Sequence, residues 1–341
     1  MSIVSGSAPV GVGVIGLGFM GATHVRSYAK AGGCRVVAVC DGNAELLDGR
    51  DRRAGNIGEA GEEQLFDPRA MLATTDPEAV LSDARVDLVS VCTPTDTHVD
   101  LAIRALDAGK HVLVEKPVAI SVGEVERLRA HAAGVVRLCV PGMCMRYWPG
   151  WDVLPGLVRS GTYGRVLSAR FERLGAAPAW SGFYSDDSRS GGALFDLHVH
   201  DVDMVHRCFG APSGVRSIGR TGHVVTSYAF DDGPPMVIAE GGWLSDPKAA
   251  FRIRYVVEFE GALAEFDLDR SPAMSLLVGG EQRCPELLDE SGYEGQARAV
   301  VEAVRTGNAN ALATMGEAID VTRTIELEAA SLRSGRAEAR G

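Results

Sequence analysis

The sequence lacks long apolar runs and any excess of positive charge. Its apolar stretches, of which 86–92 is typical, fall far short of the ~20 residues that a membrane-spanning helix needs. It contains 34 Lys and Arg against 45 Asp and Glu, which gives a formal net charge of −11. A chain of that sign gains nothing from counterion release on nucleic acid or on an anionic membrane surface. We therefore expect neither nucleic acid nor a membrane among its partners.

Paired cysteine motifs are also missing. The seven cysteines are odd in number and form no C-x-x-C pair. Cys139 and Cys144 lack His or Cys partners at zinc-finger spacing, while Cys40 and Cys92 lie in apolar runs, where a thiol is usually a small buried hydrophobe. The first nine residues contain no Lys or Arg and match neither a secretory nor a twin-arginine signal. These absences predict no metal site and a location in a reducing cytoplasm.

The length of 341 residues exceeds what one hydrophobic core usually supports, so two domains are expected. Over residues 1–140 short apolar strands alternate with helix-like segments, which is typical of a parallel sheet in an α/β domain. Over 141–341 strands with period-two polarity predict an α+β domain with a large, mostly antiparallel open sheet. The helix predicted over 314–335 is a candidate to pack back on the first domain. The polar, glycine-rich stretch 48–64 is predicted to be a surface loop.

A glycine-rich turn lies between the first predicted strand and the first predicted helix. In a dinucleotide fingerprint the first glycine permits a tight turn, the second lets the backbone approach a pyrophosphate, and the third lets helix and strand pack closely. The pyrophosphate would rest on backbone N–H groups at the positive end of the helix. The first domain is therefore predicted to be a Rossmann domain, with cofactor-binding residues Gly16, Gly18, Phe19, Met20 and Gly21.

Asp41 ends the second predicted strand, 20 residues after Gly21. This is the placement expected of an acid that accepts hydrogen bonds from the adenosine ribose hydroxyls. No Arg or Lys is adjacent to Asp41, so a 2′-phosphate would meet a carboxylate rather than a cation. The sequence therefore predicts NAD in preference to NADP.

Three further motifs resemble those of one family. They are a T-P-x-x-x-H turn at 93–98, an E-K-P tripeptide at 115–117 and a G-G-x-x-x-D-x-x-x-H-x-x-D segment at 191–203. Together they resemble the glucose-fructose oxidoreductase, inositol dehydrogenase and rhizopine catabolism family, the Gfo/Idh/MocA oxidoreductases, over essentially the whole chain. The sequence departs from the family's usual motif at His198, where the family often has Gly.

The resemblance implies an NAD-dependent dehydrogenase acting on a secondary alcohol of a sugar, cyclitol or related polyol. It implies that Lys116 is the family's catalytic lysine, at the end of a strand and often followed by a cis peptide before Pro117. It also implies a nicotinamide site built from Thr93, Pro94, Thr95, His98, Glu115 and Lys116.

Helix geometry also predicts which side chains of the segment 191–203 share a face. Asp196, His200 and Asp203, at spacings of four and three, would share one face of a helix, while His198 would lie on the opposite, apolar stripe. His200 is suited to proton transfer because the ordinary pKa of an imidazole is about 6.5. Asp196 would orient that imidazole or bind a substrate hydroxyl. His198 and His200 would point about 200° apart and could not share a metal ion.

The remaining predictions concern substrate and partners. Trp180 and Tyr184 are predicted as walls for a sugar ring, and Arg146 as a further substrate contact. An apolar face left on the second sheet predicts a homodimer or homotetramer. Two alternatives stay open at this stage: a glycosidase that uses NAD to oxidise and re-reduce its sugar, and a non-catalytic dinucleotide-binding sensor.

Overall fold

The computed structural model describes residues 8–51, 64–179 and 181–341. Trp180 and most of the predicted loop 48–64 lie outside the described residues. The chain divides into two compact units, the first from 1–118, 124–144 and 293–315, and the second from 119–123, 145–292 and 316–341. The C-terminal helix at 292–306 therefore belongs almost entirely to the first unit. The segment 314–335, which was the candidate to pack on the first domain, lies almost entirely in the second unit.

The first unit contains a six-stranded sheet in the order β3-β2-β1-β4-β5-β6, in which every neighbouring pair is parallel. This is the strand order of a Rossmann fold. All six residues of β1 are buried, as expected of a central strand covered on both faces. The strands are β1 Val10–Ile15, β2 Cys34–Cys40, β3 Leu72–Thr74, β4 Leu88–Val91, β5 His111–Glu115 and β6 Cys139–Gly142.

Helices connect these strands as the sequence pattern predicts. Helix α1 begins directly after the glycine-rich turn, and Asp76 caps α2 by accepting a hydrogen bond from the backbone N–H of Glu78. The helices of this part of the chain are α1 Phe19–Ala31, α2 Pro77–Ser82, α3 His98–Asp107, α4 Val122–Ala132 and, near the C-terminus, α9 Gly292–Thr306.

The second unit contains a nine-stranded sheet in the order β14-β13-β12-β11-β7-β10-β9-β8-β15. Only the pair β7 and β10 is parallel among these described strands, so the prediction of a mostly antiparallel open sheet is confirmed. The strands are β7 Val166–Ala176, β8 Gly214–Arg220, β9 His223–Ala229, β10 Met236–Leu244, β11 Arg252–Phe259, β12 Ala262–Asp267, β13 Met274–Val278, β14 Glu281–Arg283 and β15 Glu338–Ala339.

One face of this sheet is covered by helices, and the core of the unit lies there. The Trp151 ring contacts Phe171, Tyr255 and Phe266 and is fully buried. The helices of this part are α5 Leu154–Ser160, α6 Asp187–Ser190, α7 Gly192–Asp196, α8 Val199–Phe209 and α10 Met315–Ser334. Among the described helices none is both long and apolar enough to cross a bilayer.

Candidate active site

Two of the three loop glycines are required by the protein itself. Gly16 has a φ of +92°, and a Cβ there would lie 2.5 Å from the carbonyl oxygen of Cys92. A Cβ on Gly21 would lie 1.7 Å from the carbonyl oxygen of Gly16, so helix α1 could not approach the turn. The tight turn and the close helix packing therefore both depend on glycine at these positions.

Gly18 differs from the other two. Its φ of −63° suits any residue, it is exposed, and a Cβ there would meet nothing within 4 Å among the described residues. Nothing in that part of the chain explains why this position is glycine. It lies at the N-terminus of α1, where backbone N–H groups bind a phosphate. The loop therefore fits a pyrophosphate that approaches the backbone at Gly18, with Phe19 and Met20 half-buried in the first turn of the helix.

Asp41 lies where the sequence placed it, immediately after β2. Its Oδ2 accepts a hydrogen bond from the N–H of Leu17 at 2.6 Å, and its Oδ1 accepts one from Asn43 at 2.8 Å. The first of these bonds holds the carboxylate against the glycine-rich turn. A carboxylate oxygen has a second lone pair, so each oxygen can still accept a ribose hydroxyl.

His98 joins the two motifs implied to surround the nicotinamide. Its Nδ1 lies 2.9 Å from the carbonyl oxygen of Pro117, and its Nε2 lies 2.7 Å from that of Thr93. The ring is buried, and both nitrogens are engaged by backbone. His98 therefore holds the 93–98 turn against the end of β5 rather than presenting its ring to a cofactor. The Lys116–Pro117 peptide is cis, as the resemblance implied.

The other residues of this region differ in exposure. Thr93 and Lys116 are half-buried, Pro94 is exposed, and Thr95 is buried. Lys116 follows β5 directly, at the carboxyl end of the parallel strands, where open α/β sheets bind their ligands.

Glu115 was expected to contact the cofactor, but the structure directs its carboxylate inward. Its Oε1 lies 2.8 Å from His24 Nε2, and its Oε2 accepts a hydrogen bond from the N–H of Lys116 at 3.1 Å. The Glu115 side chain is 5% exposed. Burial alone would raise the pKa of this carboxyl, but the hydrogen bond and the charge of His24 bring it below its ordinary value. We therefore withdraw Glu115 as a cofactor ligand.

His24 was not singled out by the sequence patterns. It follows Gly21 by three residues and lies on the buried side of α1. Burial opposes its charged form, but Cys92 and Glu115 outweigh that effect and raise the pKa of the imidazole to about 10. The sequence signal that could have identified His24 is its position one helical turn after the last loop glycine, because that spacing turns the side chain toward the sheet.

In the second unit, the prediction of one continuous helix through 196–203 is wrong. Asp196 is the last residue of α7, residues 197 and 198 form a turn, and His200 is the second residue of α8. The N–H of His198 reaches back to the carbonyl oxygen of Ala193 at 3.0 Å, a five-residue span that interrupts the α-helical ladder. The helical-face argument therefore does not relate Asp196 to His200. His200 is buried and Asp196 is half-buried.

His198 is buried as predicted, yet its neighbours are charged rather than apolar. Its Nε2 lies 3.2 Å from Glu328 Oε2, and the Tyr228 hydroxyl donates to Glu328 Oε1 at 2.7 Å. A Cβ on Gly241 would lie 2.7 Å from the Cβ of His198, so glycine on the adjacent strand β10 makes room for the imidazole. Burial would lower the pKa of His198, but the charge and hydrogen bond of Glu328 raise it above its ordinary value.

Two arginines form ion pairs with α8. Arg146 contacts both Asp203 oxygens, one at 2.9 Å through Nε, and donates to Glu317 at 2.8 Å. Arg173 donates to both oxygens of Asp201, at 3.0 and 3.2 Å. Arg146 was predicted to contact substrate, but its side chain is 3% exposed and committed to these carboxylates. We therefore assign it a structural role, and Asp203 does not lie free on a cleft face.

Aromatic side chains cluster near the start of α7. The Tyr184 ring makes an edge-to-face contact with Trp243, with ring centroids 6.0 Å apart, and it also contacts Phe183. All three are half-buried. Trp243 was not predicted because it ends an alternating strand, where an aromatic residue is ordinary. Trp180, predicted beside Tyr184, lies outside the described residues.

The comparisons with known proteins agree with this division into two parts. Residues 10–142 match the model "Oxidoreductase family, NAD-binding Rossmann fold", and residues 154–271 match the GFO/IDH/MocA C-terminal domain. The match to the D-glucoside 3-dehydrogenase of Escherichia coli (strain K12) is 28% identical over 215 residues, 62% of this chain and 57% of that protein. The chain thus spans little more than half the length of that relative.

Two other similar proteins cover more of the chain. A myo-inositol 2-dehydrogenase of Thermotoga maritima is 27% identical over 260 residues, which is 76% of this chain and 68% of that protein. The structure of GenD2 from gentamicin A biosynthesis in complex with NAD superposes with a TM-score of 0.80 at 25% identity, covering 99% of this chain and 98% of that one. The prediction of the family from three motifs is confirmed: the chain belongs to the GFO/IDH/MocA oxidoreductases, with the family's NAD-binding Rossmann fold in its N-terminal unit.

Proposed function

We propose that this protein is an NAD-dependent dehydrogenase that oxidises a secondary alcohol of a sugar, cyclitol or related polyol, or reduces the corresponding ketone. The observation that carries the proposal is Gly18, an exposed glycine at the N-terminus of α1, where an added Cβ would meet no described residue within 4 Å. NAD, when bound, supplies the hydride acceptor. The substrate class is supported by the names of the similar proteins, which include a glucoside and an inositol dehydrogenase.

Lys116 is the proposed catalytic residue of the first unit. It lies at the carboxyl end of β5, next to a 93–98 turn that His98 holds in place. Its amine would donate a hydrogen bond to the reacting oxygen and stabilise the negative charge that develops as the hydroxyl proton leaves.

His200 and Asp196 are the proposed catalytic residues of the second unit. His200 would accept the hydroxyl proton, since an imidazole titrates near working pH. Asp196, at the end of α7, would bind a substrate hydroxyl or orient the imidazole. Asp201 and Asp203 are buried in ion pairs with Arg173 and Arg146, whereas Asp196 is half-buried, and this difference in exposure supports Asp196 as the acid that meets the substrate.

Tyr184 is proposed as one wall of the sugar site, and Trp243 joins it on the strength of their ring contact. Aromatic faces pack against the C–H groups of a sugar ring, so a half-buried pair at right angles would contact both a face and an edge of the substrate.

The test is a spectrophotometric screen of free sugars and inositols with the purified full-length protein and either cofactor. Accumulation of NADH with at least one free polyol, abolished in Lys116→Ala, is the expected result. Release of an aglycone from glycosides without net NADH would instead identify the redox-assisted glycosidase. Tight NADH binding with no turnover on either class would identify a sensor.

A further inference from the structure

The turn between β8 and β9 contacts three elements near the aromatic cluster. The turn consists of Thr221 and Gly222. The Thr221 carbonyl oxygen accepts a hydrogen bond from the N–H of Leu194 in α7 at 2.9 Å, and the Gly222 carbonyl oxygen accepts one from the N–H of Trp243 at 2.8 Å. The Thr221 hydroxyl donates to Oδ2 of Asp187, the first residue of α6, at 2.5 Å. Helices α6 and α7 and the end of β10 therefore meet at one turn.

The glycine pair at the start of α7 allows this approach. Gly192 has a φ of +67°, and a Cβ there would lie 2.9 Å from the carbonyl oxygen of Thr221. Gly191 has a φ of +73°, and a Cβ there would lie 2.5 Å from the ring of Phe195. The G-G pair of the 191–203 motif is thus explained by the packing of α7, with the turn of the hairpin against Gly192.

Helix α6 is in turn connected to Tyr184. The Arg189 guanidinium lies 5.3 Å from the centre of the Phe183 ring, and the Phe183 and Tyr184 rings are 5.3 Å apart between centroids. The N–H of Asp186 donates to the carbonyl oxygen of Phe183 at 3.3 Å. The Asp186 carboxylate caps α6 by accepting hydrogen bonds from the N–H and the hydroxyl of Ser188, at 3.0 and 2.6 Å. A constraint on the start of α6 therefore acts on the Tyr184 ring.

The hydrogen bond between Thr221 and Asp187 is suited to positioning more than to stability. Both residues are exposed, so water can replace either partner and the bond contributes little to the free energy of unfolding. A hydroxyl that donates to a carboxylate nevertheless makes a short bond of defined direction. Its main effect is therefore on where α6 lies relative to the hairpin.

We propose that Thr221 is a positioning residue for the substrate. Its hydroxyl holds the segment 183–189, and with it Tyr184, beside Trp243, which the same turn holds through its backbone. The consequence for substrate affinity rests on the proposed function, in which these two rings are walls of the sugar site. The ordering of the segment 183–189 by the hydroxyl is measurable without any substrate.

The first experiment is steady-state kinetics of Thr221→Val in the full-length protein. Valine keeps the branched shape and the two backbone hydrogen bonds of the turn but has no hydroxyl. We expect KM for the polyol to rise about fivefold, the effect of one lost hydrogen bond, while kcat and the Kd for NADH stay close to wild type. Asp187→Ala removes the acceptor and has the same effect. The double variant is no worse than either single variant, because both remove one interaction.

Two variants serve as matched controls. Thr221→Ser retains the hydroxyl and is expected to retain the wild-type KM. Ser227→Ala removes another exposed hydroxyl of the same hairpin, which lies 3.4 Å from the carbonyl oxygen of Arg216, and it is expected to leave KM unchanged. An unchanged KM in Thr221→Val overturns the inference, as does an equal rise in Thr221→Ser or a multiplicative effect in the double variant.

The second experiment needs no turnover. Arg189 is exposed in α6, and cleavage by trypsin requires the chain around it to open locally. We expect cleavage after Arg189 to be about fivefold faster in Thr221→Val and in Asp187→Ala, and to match wild type in Thr221→Ser. Cleavage after Arg137, which is exposed in the first unit, is the internal reference and stays the same in all variants.

The two experiments together separate the inference from the proposed function. If no polyol is oxidised but cleavage after Arg189 is faster in Thr221→Val, the proposed function fails and the ordering of the segment by Thr221 stands. If polyols are oxidised and cleavage matches wild type, the inference fails and the function stands. Faster cleavage with an unchanged KM also overturns the inference, because the segment is then no wall of the substrate site. If Thr221→Val does not fold, Asp187→Ala at its exposed position decides in the same way.

Discussion

The imidazole of His198 lies 3.2 Å from the carboxylate of Glu328, and both side chains are completely buried. The same cluster contains the Arg173–Asp201 ion pair. Two carboxylates and one guanidinium would leave a net negative charge in the core, which an imidazolium at His198 cancels. This explains how the chain tolerates histidine where its family often has glycine: Glu328 and Tyr228 supply the partners, and Gly241 supplies the room.

The first prediction concerns this cluster. His198→Gly removes the partner of a buried carboxylate and leaves a cavity, and breaking a buried ion pair costs about 3–5 kcal/mol. We expect a clear loss in the free energy of unfolding, measured by urea denaturation, with kcat largely retained in the folded fraction.

The double variant His198→Gly with Glu328→Gln is the control, since it removes both charges and recovers part of the loss. The stabilisation is also pH-dependent. Because Glu328 raises the pKa of His198 in the folded protein, its contribution is complete below about pH 6.5 and is lost as pH rises through the folded value. Loss of turnover in His198→Gly but not in His200→Ala would show that the catalytic histidine is misassigned.

The second prediction separates the two kinds of loop glycine. Gly18 has a φ that valine also adopts, and no described residue lies within 4 Å of a Cβ there, so in Gly18→Val the fold remains stable while the side chain occupies the proposed pyrophosphate position. We expect the Kd for NADH, measured by fluorescence titration, to rise about tenfold or more. The matched variant Gly21→Ala places a Cβ 1.7 Å from a backbone oxygen and is expected to lower the melting temperature itself. Unchanged NADH affinity in Gly18→Val would remove the main support for the cofactor site.

The third prediction is a preference for NAD. The Asp41 carboxylate is held by Leu17 and Asn43 against the turn, where it would repel a 2′-phosphate. We expect kcat/KM with NAD to exceed that with NADP by about tenfold or more, which corresponds to roughly 1.4 kcal/mol. Asp41→Asn keeps the shape of the side chain and the hydrogen bond from Leu17 but removes the charge. We expect this variant to have a smaller ratio of kcat/KM with NAD to kcat/KM with NADP. Equal or better use of NADP by the wild type contradicts the assignment.

The fourth prediction concerns Lys116 and His200. General acid–base assistance typically contributes about 10²–10⁴-fold, so Lys116→Ala and His200→Ala are each expected to lower kcat by that order with NAD affinity preserved. If both act on one oxygen, the double variant loses less than the product of the single effects. Fully multiplicative effects would indicate that the two residues serve separate steps.

The fifth prediction is self-association through the open face of the second sheet. Cross-strand pairing places four large hydrophobic side chains on this one face, and each is substantially exposed. They are Ile218, Met236, Val256 and Leu277. We expect light scattering at micromolar concentration to report a dimer or tetramer, and Val256→Glu to shift it toward the monomer, since a charge buried in an interface is costly. A wild-type monomer at that concentration refutes the prediction.

The sequence by itself determined the features that depend on local spacing. The glycine-rich turn lies between the first strand and the first helix, and Asp41 directly follows the second strand, where their patterns placed them. Such features follow from short-range physics: apolar periodicity, the φ that only glycine adopts without strain, and the fixed length of a strand–turn–helix unit.

Only the tertiary structure decided which charged groups meet. Arg146 was expected at the substrate and Glu115 at the cofactor, yet each is paired with a residue remote in sequence, Asp203 and His24 respectively. The helix break at residues 197 and 198 likewise places His198 beside Glu328 on another helix. No local pattern encodes these partners, because a buried charge takes whichever opposite charge the packing brings within hydrogen-bonding distance.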